Sequence, residues 1–159
     1  EVPPPDMPAA LARGDVKGYV VAEPFGATAV LGGYGRALLR AQDIWPDWIC
    51  CGLVVNKQFN ESSPEAVQEF VNSLAAAGSF ITDNQDQAVI IAQEYMKIGE
   101  DAWRKSFEWG ISYSDLKPER DEFVRLQNYL LDLKLLKGPV DIDGLLDDSA
   151  ISSAYEQVK

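Results

Sequence analysis

The spacing of apolar residues changes along this chain, from short continuous runs in its first third to helical periodicity beyond. Residues 16–22 (VKGYVVA) and 49–55 (ICCGLVV) are rich in β-branched residues over lengths typical of strands. Because both runs are almost continuously apolar, they predict strands buried on both faces. A shorter segment, 36–40 (RALLR), is a third candidate strand. All predicted strands therefore lie before residue 56.

Beyond this point apolar residues recur at the three- and four-residue spacing of amphipathic helices. Ser63 is a suitable N-cap and Pro64 suits the first helical position. The helix that follows has its predicted apolar face at Val67, Phe70, Val71, Leu74, Gly78 and Ile81. Other helices are predicted over 6–13, 24–31, 86–96, 101–109 and 119–135, with Gly14 and Gly32 ending the first two. Residues 43–48 and 141–144 are predicted as a loop and a turn.

The predicted order is helix, strand, helix, two strands and then four or five helices, which is typical of the α/β class. Two or three strands are too few for a complete doubly wound sheet. We therefore expect an α/β fold that is helix-rich after residue 57 and forms part of a larger α/β protein. The chain opens with Glu1 and Val2 instead of Met, which favours a processed or truncated start.

Composition narrows the function classes. The 159 residues carry 25 acidic and 14 basic side chains, a formal net charge of −11. The negative field of such a chain repels nucleic acid and anionic membrane surfaces, so neither is expected as a partner. No run of the sequence approaches the ~20 apolar residues that a membrane helix needs. The chain contains no histidine, which removes histidine triads and histidine metal sites from this polypeptide. We expect no catalytic residue, no metal and no cofactor.

The two cysteines, Cys50 and Cys51, are adjacent and lack the spacing of a zinc site or a disulfide framework. On a strand their side chains would point to opposite faces, which disfavours a disulfide between them. We therefore expect two buried thiols.

Three sequence features in this order resemble the periplasmic substrate-binding proteins of ABC importers for nitrate, bicarbonate, taurine and alkanesulfonates, a group that includes thiamine-precursor-synthase-like proteins. The first is GDVKGYVVAEPFGATAVLGGYGR, with Glu23-Pro24 and an aromatic residue after a buried strand. The second is Asp43-Ile44-Trp45-x-Asp47, and the third is the helix start at Pro64-Glu65-Ala66. The resemblance covers nearly the whole chain but only the C-terminal half of a family member.

The resemblance implies a type II periplasmic-binding-protein-like fold of two α/β lobes that close on a ligand. Residues 1–47 would form the end of the second lobe, and 48–56 the return crossing strand and hinge. Residues 57–159 would form the C-terminal helical part of the first lobe. The N-terminal half would then supply the remaining strands of both sheets.

The same resemblance places four residues at the ligand: Ala22, Glu23, Phe25 and Cys51. Ala22 would offer backbone contacts, and Cys51 stands where nitrate- and bicarbonate-binding relatives carry a lysine. Because a thiol supplies no positive charge, we expect a larger organic ligand instead of nitrate or bicarbonate. Glu23 could instead cap the helix that follows, a role we favour slightly. Phe25 and the tryptophans of the 43–48 loop could instead be packing residues.

Three functions are compatible with these features. The first, which we favour, is the solute-binding component of an ABC importer, which captures a small organic or oxyanionic ligand by hinge closure and catalyses no reaction. Its partners would be a permease and an ATPase. Its location would be periplasmic or extracellular, and a lipid anchor on an upstream N-terminus is one form of attachment. The second is a pyrimidine-synthase-like enzyme on the same fold. The third is an isolated half-module that works as a homodimer.

Overall fold

The structure is a computed structural model that describes residues 1–46 and 50–157. Regular structure in these residues is helical. The α-helices are α1 (Met7–Arg13), α2 (Phe25–Leu31), α3 (Ala41–Ile44), α4 (Lys57–Ser62), α5 (Pro64–Asp83), α6 (Gln85–Tyr95), α7 (Glu100–Glu108), α8 (Arg120–Asp132), α9 (Ile142–Leu145) and α10 (Ser149–Gln157). The fold is therefore helix-rich after residue 57, as the sequence predicts.

No strand occurs in the described residues, which corrects three predictions. Residues 16–22 and 36–40 are irregular, and so are 50–55 of the third predicted strand. A strand requires a neighbouring strand to receive its backbone hydrogen bonds, and these segments have none beside them. Val20 and Val54 accordingly lie 97% and 92% exposed, where the sequence predicts burial. The sheet of the expected α/β fold thus stays a prediction.

Local signals place several helix ends correctly. Gly14 follows α1 in the left-handed conformation, with φ of 79°, where a side chain would be strained. Pro64 opens α5, as its fixed φ favours. At α8 the helix ends at Asp132, three residues early, because Lys134 takes a left-handed φ of 57°. Leu135 then donates its backbone N–H to the Leu130 carbonyl, closing the helix end at 2.8 Å.

The buried face of α5 differs from the predicted one. Val67, Val71 and Ala75 are buried in one cluster with Ile151 and Ala154 of α10. Phe70 and Leu74, which the sequence places in the core, are 53% and 37% exposed. Val67, Val71 and Gly78 are thus buried as predicted, whereas positions 70 and 74 lie outside the line of positions 67, 71 and 75 that packs with α10.

Four helices are absent from the sequence-based prediction. They are α3, which occupies part of the predicted 43–48 loop, α4, α9 in place of the predicted 141–144 turn, and α10 in the polar tail. All four have only four to nine residues, which is too short for a pattern search to detect reliably. Three residues used in the predictions lie outside the described residues. They are Asp47 and Trp48 of the predicted loop, the first of which also belongs to the motif, and Ile49 of the predicted strand.

Backbone contacts divide the chain into two compact units, Glu1–Asp47 with Phe80–Tyr113, and Trp48–Ser79 with Ser114–Lys159. In the first unit α2 packs against α1 and α7, and α6 packs against α7. In the second unit α8 packs against α9, and α5 packs against α10. Residues 80–113 thus group with 1–47, and the boundary between lobes at residue 57 stays a prediction.

Candidate functional site

The turn before α2 is built around the carboxylate of Glu23. Its Oε2 accepts a hydrogen bond from the backbone N–H of Ala27 at 2.9 Å, in the first turn of the helix. That N–H has no partner within the helix, and Ala27 is fully buried. The side chain of Glu23 therefore caps α2, and the capping role favoured from the sequence is confirmed.

A serine from α7 borders the same carboxylate. Ser106 is fully buried, and its hydroxyl donates to the Ala102 carbonyl at 2.7 Å. The hydroxyl oxygen also lies 3.4 Å from Oε2 of Glu23. Since one hydroxyl hydrogen faces both acceptors, the shorter contact is the main hydrogen bond. The contact shows that α7 packs against the start of α2.

Gly26 leaves the space that the carboxylate occupies. A Cβ at this position would lie 2.5 Å from Oε1 of Glu23, far closer than two such atoms approach. A side chain here would therefore displace the carboxylate from Ala27. The sequence contains Gly26 within the EPFG segment, but nothing in the sequence alone shows this requirement.

Tyr19 closes the turn from the preceding segment. Its hydroxyl donates to the backbone carbonyl of Phe25 at 2.9 Å. Burial raises the pKa of Tyr19, and the negative charge of Glu23 raises it further. A second hydroxyl, Thr28 Oγ1, donates to the carbonyl of Pro24 at 2.9 Å, and the Glu23–Pro24 peptide bond is cis. Side-chain hydroxyls thus hold the two backbone carbonyls that directly follow Glu23.

The four predicted ligand residues fall into two groups. Ala22 is exposed, whereas Glu23 and Phe25 are half-buried, and all three lie in one turn of the first compact unit. Cys51 belongs to the other unit. The role of Tyr19, Ser106 and Gly26 in supporting this turn was missed, because their contacts to it are either long-range or purely spatial.

Both cysteines are exposed, which corrects the expectation of two buried thiols. They lie in irregular backbone, so the alternation of a strand does not separate their side chains. The two Sγ atoms are instead 3.6 Å apart, in hydrogen-bonding contact. Burial raises the pKa of the Cys50 thiol, and the hydrogen bond with Cys51 raises it further.

A shallow cavity of about 190 Å³ lies elsewhere in the first unit. Its lining residues are Ala37, Leu38, Leu39, Arg40, Asp43 and Trp109. Arg40 donates from Nη2 and Nε to the two carboxylate oxygens of Asp43, at 2.9 and 3.2 Å. This pairing lowers the pKa of Asp43. Because its guanidinium is already engaged, Arg40 is not a free anion-binding group.

Comparison with known proteins gives two matches. The model of the NMT1-like family matches residues 1–95. A solved structure, the ligand-binding component of an ABC-type import system from Staphylococcus aureus with zinc bound, matches with a TM-score of 0.82 and 29% sequence identity. The match covers 97% of this chain and 52% of that one, so the chain spans about half the length of this solved relative. No curated protein sequence matches.

Proposed function

The chain belongs to the NMT1-like family, and on this basis we propose that it works within the solute-binding component of an ABC importer. The observation that carries the proposal is the likeness of nearly the whole chain to a protein described as a ligand-binding component of such a system. In this role the protein captures a small organic or oxyanionic ligand between two lobes by hinge closure, and it catalyses no reaction.

The proposal keeps the lobe assignment made from the sequence. Residues 1–47 end the second lobe, 48–56 form the return crossing and hinge, and 57–159 complete the first lobe. Irregular backbone at 50–56, between α3 and α4, is consistent with a segment that pairs with strands from further polypeptide. The exposure of Val20 and Val54 has the same explanation, because apolar β-branched residues are normally buried in a sheet.

The turn at the start of α2 is the proposed ligand-binding surface of this chain. Ala22 offers an exposed backbone, and Phe25 an aromatic side chain beside it. Since Oε2 of Glu23 already accepts from Ala27, this carboxylate contributes by holding the turn in place more than by accepting from a ligand. Cys51 contributes an exposed thiol from the crossing segment. This set lacks a cation, which favours an organic ligand over nitrate or bicarbonate.

The proposed partners are the membrane permease and the ATPase of the same importer. The proposed location is periplasmic or extracellular, with a lipid anchor as one means of attachment. Among the described residues, no helix combines the length and the apolar character needed to cross a membrane. These residues also contain no group of three or more His, Cys, Asp or Glu side chains arranged to hold a metal ion.

Two measurements on the protein purified from its source cells test this function. The first is its intact mass. A mass of roughly twice 17.5 kDa supports a two-lobed binding protein, whereas a mass equal to that of these residues favours a half-module that acts as a dimer.

The second measurement is thermal stabilisation by a panel of taurine, an alkanesulfonate, a pyrimidine, nitrate, bicarbonate and zinc chloride. A ligand at 100 times its Kd stabilises the folded state by about 2.7 kcal/mol, which raises Tm by several degrees. We expect an organic member of the panel to act, and nitrate and bicarbonate to have no effect. Formation of a pyrimidine by the protein would instead establish the enzyme alternative.

A charge placed at Ala22 tests the location of the site. Ala22→Asp should weaken binding of an anionic ligand about tenfold, which corresponds to about 1.4 kcal/mol of repulsion. Ala41→Asp, at an exposed position at the start of α3, adds the same charge away from the turn and should leave Kd unchanged. Equal affinities of the two variants would contradict the proposed location.

A further inference from the structure

The adjacent thiols form a feature that ligand capture does not explain. Cys50 and Cys51 are the two cysteines of this chain, so any thiol chemistry of these 159 residues occurs at this pair. Both side chains are exposed, and reagents from solvent can therefore reach them. Their sulfur atoms are 3.6 Å apart, which is a direct contact.

The backbone around the pair must adjust for the sulfur atoms to bond, because the Cα atoms of adjacent residues are about 3.8 Å apart, closer than in an ordinary disulfide. A disulfide requires an S–S distance of about 2.05 Å, so the two atoms must move about 1.5 Å closer. Residues 50–56 are in neither a helix nor a strand, and rotation of the two side chains therefore breaks no ladder or helical hydrogen bond. A pair fixed on a strand would lack this freedom, because its side chains would point to opposite faces.

We propose that Cys50 and Cys51 are a reversible dithiol–disulfide pair, oxidised by exchange with a low-molecular-weight disulfide such as oxidised glutathione. In the first step the thiolate of Cys51 attacks one sulfur of glutathione disulfide, releasing one glutathione thiolate and forming a mixed disulfide. In the second step the thiolate of Cys50 attacks the sulfur of Cys51 and releases the second glutathione. The protein loses two electrons and two protons, and glutathione disulfide is reduced to two thiols.

Proximity of the second thiol favours closure within the pair over a stable glutathione adduct or a disulfide-linked dimer, and ring strain makes the closed form easy to reopen. The second thiol is in contact with the first, so its effective concentration far exceeds that of any thiol in solution. The ring formed by adjacent cysteines is small and strained, which makes its disulfide easy to reduce. Because burial and the hydrogen bond with Cys51 raise the pKa of Cys50, this thiol is the less suited of the two to begin the exchange. Because the strained disulfide is easily reduced, oxidation of the pair is reversible.

The chemistry does not depend on the proposed importer function. If that function holds, the pair lies in the proposed crossing segment, and its oxidation would alter ligand affinity. If oxidation of the pair leaves ligand affinity unchanged, only the hinge assignment is contradicted. The redox reaction is measured without any ligand and is tested separately.

The test equilibrates the purified protein in buffers of increasing ratio of oxidised to reduced glutathione, followed by alkylation with iodoacetamide and intact mass measurement. We expect one transition in which both alkylation sites disappear together. The mass of the oxidised chain should be lower by two hydrogens than that of the unalkylated reduced chain. No intermolecular disulfide should form. Peptide mapping should locate the bond between residues 50 and 51. Adding excess reduced glutathione should restore both thiols.

Cys50→Ser and Cys51→Ser provide matched controls, because each keeps an exposed hydroxyl of similar size. Each variant should stop at the mixed disulfide, with one glutathione added, and circular dichroism should match that of the wild type. A wild-type protein that retains a glutathione adduct, forms a disulfide-linked dimer or keeps both thiols at every ratio would overturn the proposal.

Discussion

Glu23→Ala removes the carboxylate that caps α2 and leaves the N–H of Ala27 without an acceptor. Ala27 is fully buried, so water cannot replace the lost hydrogen bond. Loss of a side-chain cap costs about 0.5–2 kcal/mol, and an unsatisfied buried donor about 1–3 kcal/mol. These figures describe the same hydrogen bond, so they are not added. We expect the variant to lose about 1–2 kcal/mol of unfolding free energy.

Urea unfolding followed by far-ultraviolet circular dichroism measures this loss, and thermal unfolding provides a second reading. For a chain of this size, about 1 kcal/mol corresponds to about 2–4 °C in Tm. Glu23→Gln keeps an oxygen that can accept from Ala27, so it should lose less than Glu23→Ala. Glu94→Ala, at an exposed position in α6 of the same compact unit, should change stability by less than about 0.5 kcal/mol. Equal unfolding midpoints for Glu23→Ala and Glu94→Ala would refute the capping argument.

Three further predictions concern neighbouring features. Gly26→Ala should be about 0.5–2 kcal/mol less favourable in wild type than in a Glu23→Ala background by urea unfolding, because its Cβ would lie 2.5 Å from Oε1 of Glu23 and displace the carboxylate from Ala27, whereas alanine by itself favours a helix by about 1 kcal/mol over glycine. Ile151→Ala, in the cluster between α5 and α10, should cost about 2–4 kcal/mol, whereas Ile91→Ala at 39% exposure should cost less by the same measurement. The pKa of Tyr19 is raised in the folded state, so its protonated form stabilises the fold. This contribution is fully present below the unfolded tyrosine pKa of about 10 and is lost as pH rises through the folded pKa. The difference in unfolding free energy between wild type and Tyr19→Phe should therefore be constant to about pH 9 and shrink above about pH 10.

Each of these predictions has a result that contradicts it. For Gly26→Ala, an equal change in stability in the wild-type and Glu23→Ala backgrounds would show that the carboxylate is not held as described. For Ile151→Ala, a cost equal to that of Ile91→Ala would contradict burial between α5 and α10. For Tyr19→Phe, a stability difference that stays constant above about pH 10 would contradict the raised pKa.

Much of the candidate site follows from residues close together in the sequence. Glu23 lies four residues before Ala27, a separation at which a carboxylate can reach the first turn of a helix, so the sequence alone favours the cap. The contact of Ser106 with Glu23 spans 83 positions and exists only because α7 packs against α2. The approach of Gly26 to the carboxylate is likewise a matter of shape, which the residue type does not encode.

The sequence by itself determines the local features of this protein: the helix ends at Gly14 and Pro64, the absence of histidine, the acidic surface charge and the family. These depend on backbone preferences and residue chemistry, which act over a few positions. The tertiary structure decides which apolar residues are buried and which segments form strands. Val20 and Phe70 are exposed because burial requires a partner surface, and residues 16–22 are irregular because a strand requires a neighbour for its hydrogen bonds. The contact between Cys50 and Cys51 has the same origin, since only irregular backbone brings adjacent side chains to one side.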